Sequence, residues 1–177
     1  YRANGNPTYV DPERRSHIWT VTVSEKGDTP APKQITSGEF DERAAAWAPD
    51  GATIYFVSDR VAESYYNTAD TDIYRIPAAG GDITRVASID GPIGSFSLAP
   101  DGKRIAFVGA FTDQPVRSYS QPDLWVVDAT PGSAPRNLTA SYDFDVSAGI
   151  GGDQSAPRGE QPKPIVWTKD GQSLIVT

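Results

Sequence analysis

Short apolar runs recur along this chain, each set off from the next by a cluster of Gly, Pro, Asp or Ser. Runs this short, bounded by turn residues, predict β-strands rather than helices. Residues 46–57, 97–108 and 166–176 align with one another. Each is an apolar stretch, an Asp-Gly pair (Asp50-Gly51, Asp101-Gly102, Asp170-Gly171) and a second apolar stretch. Asp-Gly between two such runs predicts a hairpin, because Gly accepts the positive φ that the turn requires. A second pair of strands repeats between these hairpins. Residues 17–21, 72–76 and 123–127 share a polar-apolar-aromatic opening, and residues 34–36, 85–87 and 137–139 follow as short closing strands.

The four strands, called A to D, recur with a period of about 51 residues, which is the range of β-propeller blades. A β-sandwich also has short strands and frequent turns, but it does not require look-alike hairpins at equal spacing. The expected fold is therefore all-β, a partial β-propeller of two complete four-stranded blades flanked by two half-blades. Residues 1–40 supply strands C and D of one blade, 41–90 and 91–141 a full blade each, and 165–177 strands A and B of the next. The excess spacing falls in residues 142–164, a polar Gly/Pro-rich insertion that reads either as a disordered loop or as a lid or docking loop at one rim. Each half-blade has an unpaired edge, so two copies completing each other's blades would give a closed six-bladed ring. Trp19, Trp47, Trp125 and Trp167 stand at matched blade positions and are expected in the core.

Composition narrows the function. The chain has 177 residues, 38% hydrophobic, with Gly 16 and Pro 15, enough for a real core with many turns. A formal charge of -7 predicts no nucleic-acid partner, which would need a basic stripe. No apolar run approaches the ~20 residues of a membrane-crossing helix, so no membrane partner is expected. Without Cys there are no disulfides or thiolate metal sites, and the compartment stays open. A start at Tyr1 and the absence of Met predict a fragment or a processed chain.

Several segments resemble the propellers of the prolyl oligopeptidase family of serine peptidases. They are Tyr1-Arg2-Ala3-Asn4-Gly5, the run from Asp11 to Trp19 with Arg15-Ser16-His17-Ile18-Trp19, and the run from Ile35 to Asp41. Trp47-Ala48-Pro49-Asp50-Gly51 followed by Phe56-Val57-Ser58-Asp59-Arg60 looks like that family's blade hairpin, and the bacterial acylaminoacyl-peptidase and dipeptidyl-peptidase-like branch is the nearest in character. The Pro-Asp-Gly signature is shared with TolB-like periplasmic propellers. The peptidase resemblance implies a cap over a C-terminal α/β-hydrolase domain of the same parent chain, one that restricts peptide substrates to short ones. The TolB-like alternative is a protein-binding module with no hydrolase domain.

Chemistry of its own is not expected in this segment. A nucleophile elbow, Gly-x-Ser-x-Gly, does not occur, and the single histidine, His17, opens a strand C and reads as structural. Gly149-Ile150-Gly151-Gly152 lacks the strand and helix that flank a phosphate-cradling loop. Asp70 with Asp72, and Asp143 with Asp145, alternate like calcium ligands but lack the Gly and distal Glu of a calcium loop, so they read as solvated loop acids. No catalytic residue, metal site or cofactor is therefore expected. Asn137-Leu138-Thr139 fits the glycosylation pattern but coincides with a closing strand. The rim candidates are Asp41, Glu42 and Arg43, between a strand D and the next strand A. They read as a surface charge cluster or, in an intact enzyme, as a place to meet a peptide's termini. Tyr65 and Tyr66, in a B–C connection, read as packing over the neighbouring blade or as a stacking surface for a peptide.

Overall fold

A computed structural model of the chain describes residues 15–25, 27–28, 30–63, 66–113, 115, 119–146 and 164–176. Strands β1 (Trp19–Thr20) and β2 (Lys33–Gln34) pair as a two-stranded sheet. A four-stranded sheet follows, made of β3 (Glu42–Trp47), β4 (Thr53–Ser58), β5 (Asp72–Pro77) and β6 (Thr84–Ala87). The next contains β7 (Ile93–Leu98), β8 (Arg104–Gly109), β9 (Asp123–Asp128) and β10 (Arg136–Asn137). The last pairs β11 (Val166–Trp167) with β12 (Leu174–Ile175). Every pairing is antiparallel and joins strands adjacent in sequence. This is the expected all-β partial propeller, two complete blades flanked by two half-blades.

The three A–B hairpins are built alike. Gly51, Gly102 and Gly171 have φ of 68°, 68° and 67°, the left-handed region that a Cβ disfavours. Beside each, the preceding Asp accepts a hydrogen bond from the backbone N–H two residues on: Ala52 to Asp50, Lys103 to Asp101 and Gln172 to Asp170, at 2.8, 2.9 and 3.0 Å. The Asp thus closes the turn and the Gly supplies its handedness.

The first two hairpins matter because their second strands, β4 and β8, are buried on both faces. On β4, Ile54 and Phe56 enter one apolar layer with Ile18 and Ile76, while Tyr55 and Val57 enter another with Ile105 and Phe107. On β8, Ile105 and Phe107 look back into that shared layer, and Ala106 and Val108 look forward into a third with Leu124, Ile165 and Leu174. Period-two alternation therefore feeds two layers from each central strand. Four sheets enclose three layers in succession, whereas a sandwich has one layer between two sheets. Strands β3, β7 and β11 come against one another in sequence, so among the described residues strand A lies on the inner edge of each of these three sheets.

The tryptophans correct one expectation. Trp125 is buried, stacked on Phe107 at 6.1 Å, with its indole N–H donating to the Gly109 carbonyl at 3.0 Å. Trp167 is half-buried against the preceding blade, and its N–H donates to Ser97 O at 3.1 Å. Trp19 and Trp47 are instead 56% and 54% exposed. The reason is positional. Trp125 leans on its own strand B, and Trp167 leans on strand A of the blade before it. The first sheet has neither strand among the described residues, so Trp19 and Trp47 have nothing to lie on.

Truncating Phe107 to Ala is expected to cost about 3–5 kcal/mol, since the side chain is fully enclosed. Trp47→Ala is expected to cost no more than about 1 kcal/mol. Urea unfolding of the two variants checks the contrast.

Candidate functional site

The D–A and B–C connections emerge at the same rim, and the rim candidates lie there. Glu42, the first residue of β3, is drawn in by its backbone, whose N–H donates to Ser16 O at 2.8 Å. Its carboxylate is fully buried. Oε1 accepts from Arg60 Nη2 at 2.6 Å, and Oε2 accepts from Thr36 Oγ1 at 2.8 Å and meets His17 Nδ1 at 2.9 Å. Thr36 Oγ1 in turn accepts the Ile18 N–H at 2.8 Å. Arg60 lies over the rings of Phe40, Tyr74 and Phe56 at 5.1, 5.2 and 5.8 Å, where the π faces stabilise its charge. One carboxylate thereby joins the first sheet, strand A of the second and its B–C connection. A buried carboxylate with three partners is tolerable; the same group with one partner removed is not.

Asp41 is similarly engaged. Its Oδ1 accepts the Ser16 N–H at 2.6 Å and its Oδ2 accepts from Arg15 Nη1 at 3.2 Å. Partial burial pushes its pKa up, but the Ser16 N–H and the Arg15 guanidinium outweigh that and hold it below the usual carboxylate value. Arg43 differs: it is exposed. It sits at a bulge in β3, where Ala44 and Ala45 together oppose one residue of β4 and Ala44 is held at φ 50°. A bulge of this kind turns the side chain beside it, and a non-Gly residue in the left-handed region costs energy that the surrounding ladder must supply. Arg43 lines a cleft of ≈ 250 Å³ with Arg15, Glu39, Asp41 and Asp59. Arginines and carboxylates thus face one small recess. That arrangement suits a zwitterionic group, with Arg43 toward an anion and Glu39 or Asp59 toward a cation.

The structure brings Asp41, Glu42 and Arg43 to one rim but divides their work. Glu42 is internal, Asp41 is half committed to Arg15 and Ser16, and Arg43 faces solvent. Tyr66 is 82% exposed, which corrects the expectation that it packs over a neighbouring blade; Tyr65 lies outside the described residues. Sequence reasoning missed Arg15, Thr36 and Arg60. Thr36 carried a signal: it aligns with Thr139, which donates to Asp123 Oδ1 at 2.7 Å and accepts the Leu124 N–H at 3.0 Å. The hydroxyl after strand D therefore fastens the start of strand C in both blades. His17 and Asp123 occupy the same position in this latch. Asn137 belongs to it too, donating to Asp123 Oδ2 at 2.8 Å.

Asp72 holds that position in the second sheet and corrects the reading of it as a solvated loop acid. It is buried at the start of β5 and accepts from Arg85 Nη1 at 3.2 Å. Burial pushes its pKa up, Ser88 and Arg85 pull it down by less, and Asp70 adds to the rise. Asp143 and Asp145 are exposed, as expected. Among the described residues no three His, Cys, Asp or Glu side chains converge as metal ligands. The insertion's residues 147–163, which include Gly149-Ile150-Gly151-Gly152, lie outside the described residues.

Comparison with known proteins follows the same outline. No protein-family model matches the chain. It is similar to dipeptidyl-peptidase 5 of Arthroderma otae, 24% identical over 184 residues, covering 98% of this chain and 22% of the relative. The chain thus spans about a fifth of the length of that curated relative. Among solved structures, oligogalacturonate lyase from Vibrio parahaemolyticus superposes with a TM-score of 0.61 at 20% identity, covering 91% of this chain and 38% of its own. TolB from Acinetobacter baumannii superposes with a TM-score of 0.52 at 22% identity, covering 84% and 29%. At these identities the two structures speak for the fold alone, and the class they define with the sheet order is a β-propeller module.

Glu42→Ala is expected to cost about 3–5 kcal/mol, because it leaves Arg60 and His17 without their shared acceptor. Arg43→Ala is expected to change stability by less than about 0.5 kcal/mol, and urea midpoints separate the two. The acids Asp41 and Asp72 are expected to respond to pH with opposite signs. A raised folded-state pKa means the folded protein binds its proton more tightly, so ionising Asp72 costs stability as pH rises through that value. Asp72→Asn should therefore gain on the parent between about pH 4 and pH 7. Asp41 contributes stability that is fully present above the usual carboxylate value and is lost as pH falls through its lowered folded-state value. Asp41→Asn should therefore sit below the parent by a constant margin above about pH 5 and close that gap as pH falls below about pH 4. Unfolding midpoints at several pH values check both signs.

Proposed function

We propose that the chain is the non-catalytic propeller portion of a serine exopeptidase or oligopeptidase, capping an α/β-hydrolase active site and admitting short peptides. The observation that carries this reading is the extent of the similarity to dipeptidyl-peptidase 5, which runs along 98% of the chain rather than through one hairpin. The rim supports it. A zwitterionic recess beside an exposed Arg43 suits the carboxylate and ammonium termini of a short peptide entering the chamber. In this reading Arg43 meets the peptide, and Asp41 and Glu42 hold the strand that presents it. The hydrolase domain and its nucleophile belong to the rest of a longer polypeptide, since these 177 residues contain no Gly-x-Ser-x-Gly segment.

The second reading is a TolB-like module that acts through protein contacts with no hydrolase attached. It shares the fold of the Acinetobacter protein and needs no peptide site at the rim. The coding sequence that follows Thr177 separates the two: the first reading expects a Gly-x-Ser-x-Gly segment there, the second only further blades or a stop. If that longer protein cleaves dipeptidyl or aminoacyl chromogenic substrates, Arg43→Ala should raise KM about tenfold with kcat within about twofold, as befits a group that binds substrate away from the reacting bond. The 177-residue chain alone should give no turnover. Turnover by the chain alone, or an unchanged KM in the variant, contradicts the gating role.

A further inference from the structure

At the rim of the Asp-Gly turns, opposite the rim that bears Arg43, the gap between the second and third sheets is open where the next gap is filled. The opening measures ≈ 520 Å³. Its walls are the two complete four-stranded sheets and not an open sheet face. Thr53, Tyr55 and Arg75 line it from the second sheet, and Gly102, Lys103 and Asp128 from the third.

The repeat explains the opening. At both junctions the proline before one turn lies against the turn glycine of the next blade. A Cβ on Gly102 would come within 3.3 Å of Pro49 Cδ, and one on Gly171 within 3.8 Å of Pro100 Cδ. At the later junction Arg104, the first residue of β8, crosses to the neighbouring turn. Its Nη2 donates to Gly171 O at 2.7 Å, and its guanidinium lies over the Trp167 ring at 5.3 Å. The first residue of β4 is instead Thr53, and Leu98 ends β7 where Trp167 ends β11. Threonine is too short to cross, so the Gly102 carbonyl lacks the guanidinium that its counterpart has. The space and the acceptor remain.

The rest of the gap is charged. Arg75 is half-buried and stands opposite Tyr55, two rungs along the sheet from the Thr53–Pro77 pair. Two rungs are about 7 Å, the span of an extended arginine side chain. Lys103, Asp50, Asp101 and Asp128 complete the charged lining, and among the described residues no ion pair joins any two of these five groups. Carboxylates outnumber cations by one, so a ligand with one net positive charge is favoured. Asp50 and Asp101 each spend one oxygen on a turn N–H, which leaves the other for a donor from outside. A guanidinium fork can meet the Gly102 carbonyl and these acids, and a carboxylate at the far end of the same ligand can meet Arg75 bidentately.

We propose that this gap binds an arginine with a free α-carboxylate, as the amino acid or as the last residue of a peptide. Its guanidinium takes the place that Arg104 fills one junction on, and its carboxylate meets Arg75. The proposal does not depend on the peptidase reading, and its test reads no hydrolysis.

Titration calorimetry on the chain uses four probes: L-arginine, agmatine, which lacks the carboxylate, and the peptide Gly-Gly-Gly-Arg with a free or an amidated C-terminus. L-Arginine is expected to bind with a Kd on the order of 1 mM, the scale for a ligand of this size. Agmatine and the amidated peptide should bind at least about tenfold more weakly. Binding of the free-acid peptide as well upholds the proposal with a C-terminal arginine as the ligand; binding of the amino acid alone upholds it with free arginine. Thr53→Arg supplies the missing side chain from the protein itself and should abolish binding without lowering the urea midpoint. Arg75→Gln should weaken L-arginine about tenfold and leave agmatine unchanged, and it decides the matter if Thr53→Arg does not fold. No binding of L-arginine or free-acid peptide at about 20 mM overturns the proposal. So does agmatine binding as tightly as L-arginine, or a folded Thr53→Arg that binds like the parent.

Discussion

Burial of the second hairpin strand on both faces is the constraint from which the rest of this architecture follows. A four-stranded sheet standing alone leaves both faces open to water, yet β4 and β8 carry apolar residues at successive positions, Ile54-Tyr55-Phe56-Val57 and Ile105-Ala106-Phe107-Val108. Neither strand is satisfied by its own blade. Each needs a neighbour before and a neighbour after, and the Asp-Gly hairpin is the device that brings strand A alongside while leaving both faces of strand B available. Stability is therefore shared between consecutive units, as in other repeat architectures. Half-covered tryptophans at the edge are a consequence of the same rule.

Polar chemistry is added where that packing leaves backbone groups at the start of strand C. A hydroxyl after strand D takes up the second strand-C N–H, in the pairs Thr36 with Ile18 and Thr139 with Leu124. In the first of these the latch is enlarged by Glu42 and Arg60 into a buried network that crosses from one sheet to the next. Such a network is poor at adding net stability but effective at fixing which surfaces meet, since a mispaired blade would strand a charge. Its placement at the rim leaves Arg43, just before the bulge, as the group turned outward. Structure and candidate function thus share a strand: the residues that anchor β3 are the ones that set Arg43 at the cleft.

Much of the fold was legible in the sequence because the repeat states each element more than once. Asp50-Gly51, Asp101-Gly102 and Asp170-Gly171 mark equivalent turns, and the aromatic positions mark equivalent strands. Exposure of Trp19 and Trp47 was not legible, because a repeat implies a position's role without showing whether its neighbour is present. Site residues were harder for a related reason. Asp41-Glu42-Arg43 reads as one charge cluster in sequence, and only the partners far along the chain, Ser16, Thr36 and Arg60, divide it into an internal anchor and an exposed arm. Asp72 looked like a loop acid because its pairing with Asp70 drew more notice than its match to His17 and Asp123 in the repeat.

If blades are stable only through the layers they share, the strands on either side of the middle layer must come apart together. Native-state hydrogen exchange measures this directly. The account predicts that the amides of β4 and β8 are among the slowest in the molecule and exchange with the same opening free energy, reached only by global unfolding. Two clearly different opening free energies, with one four-stranded sheet exchanging while the other stays protected, would contradict it.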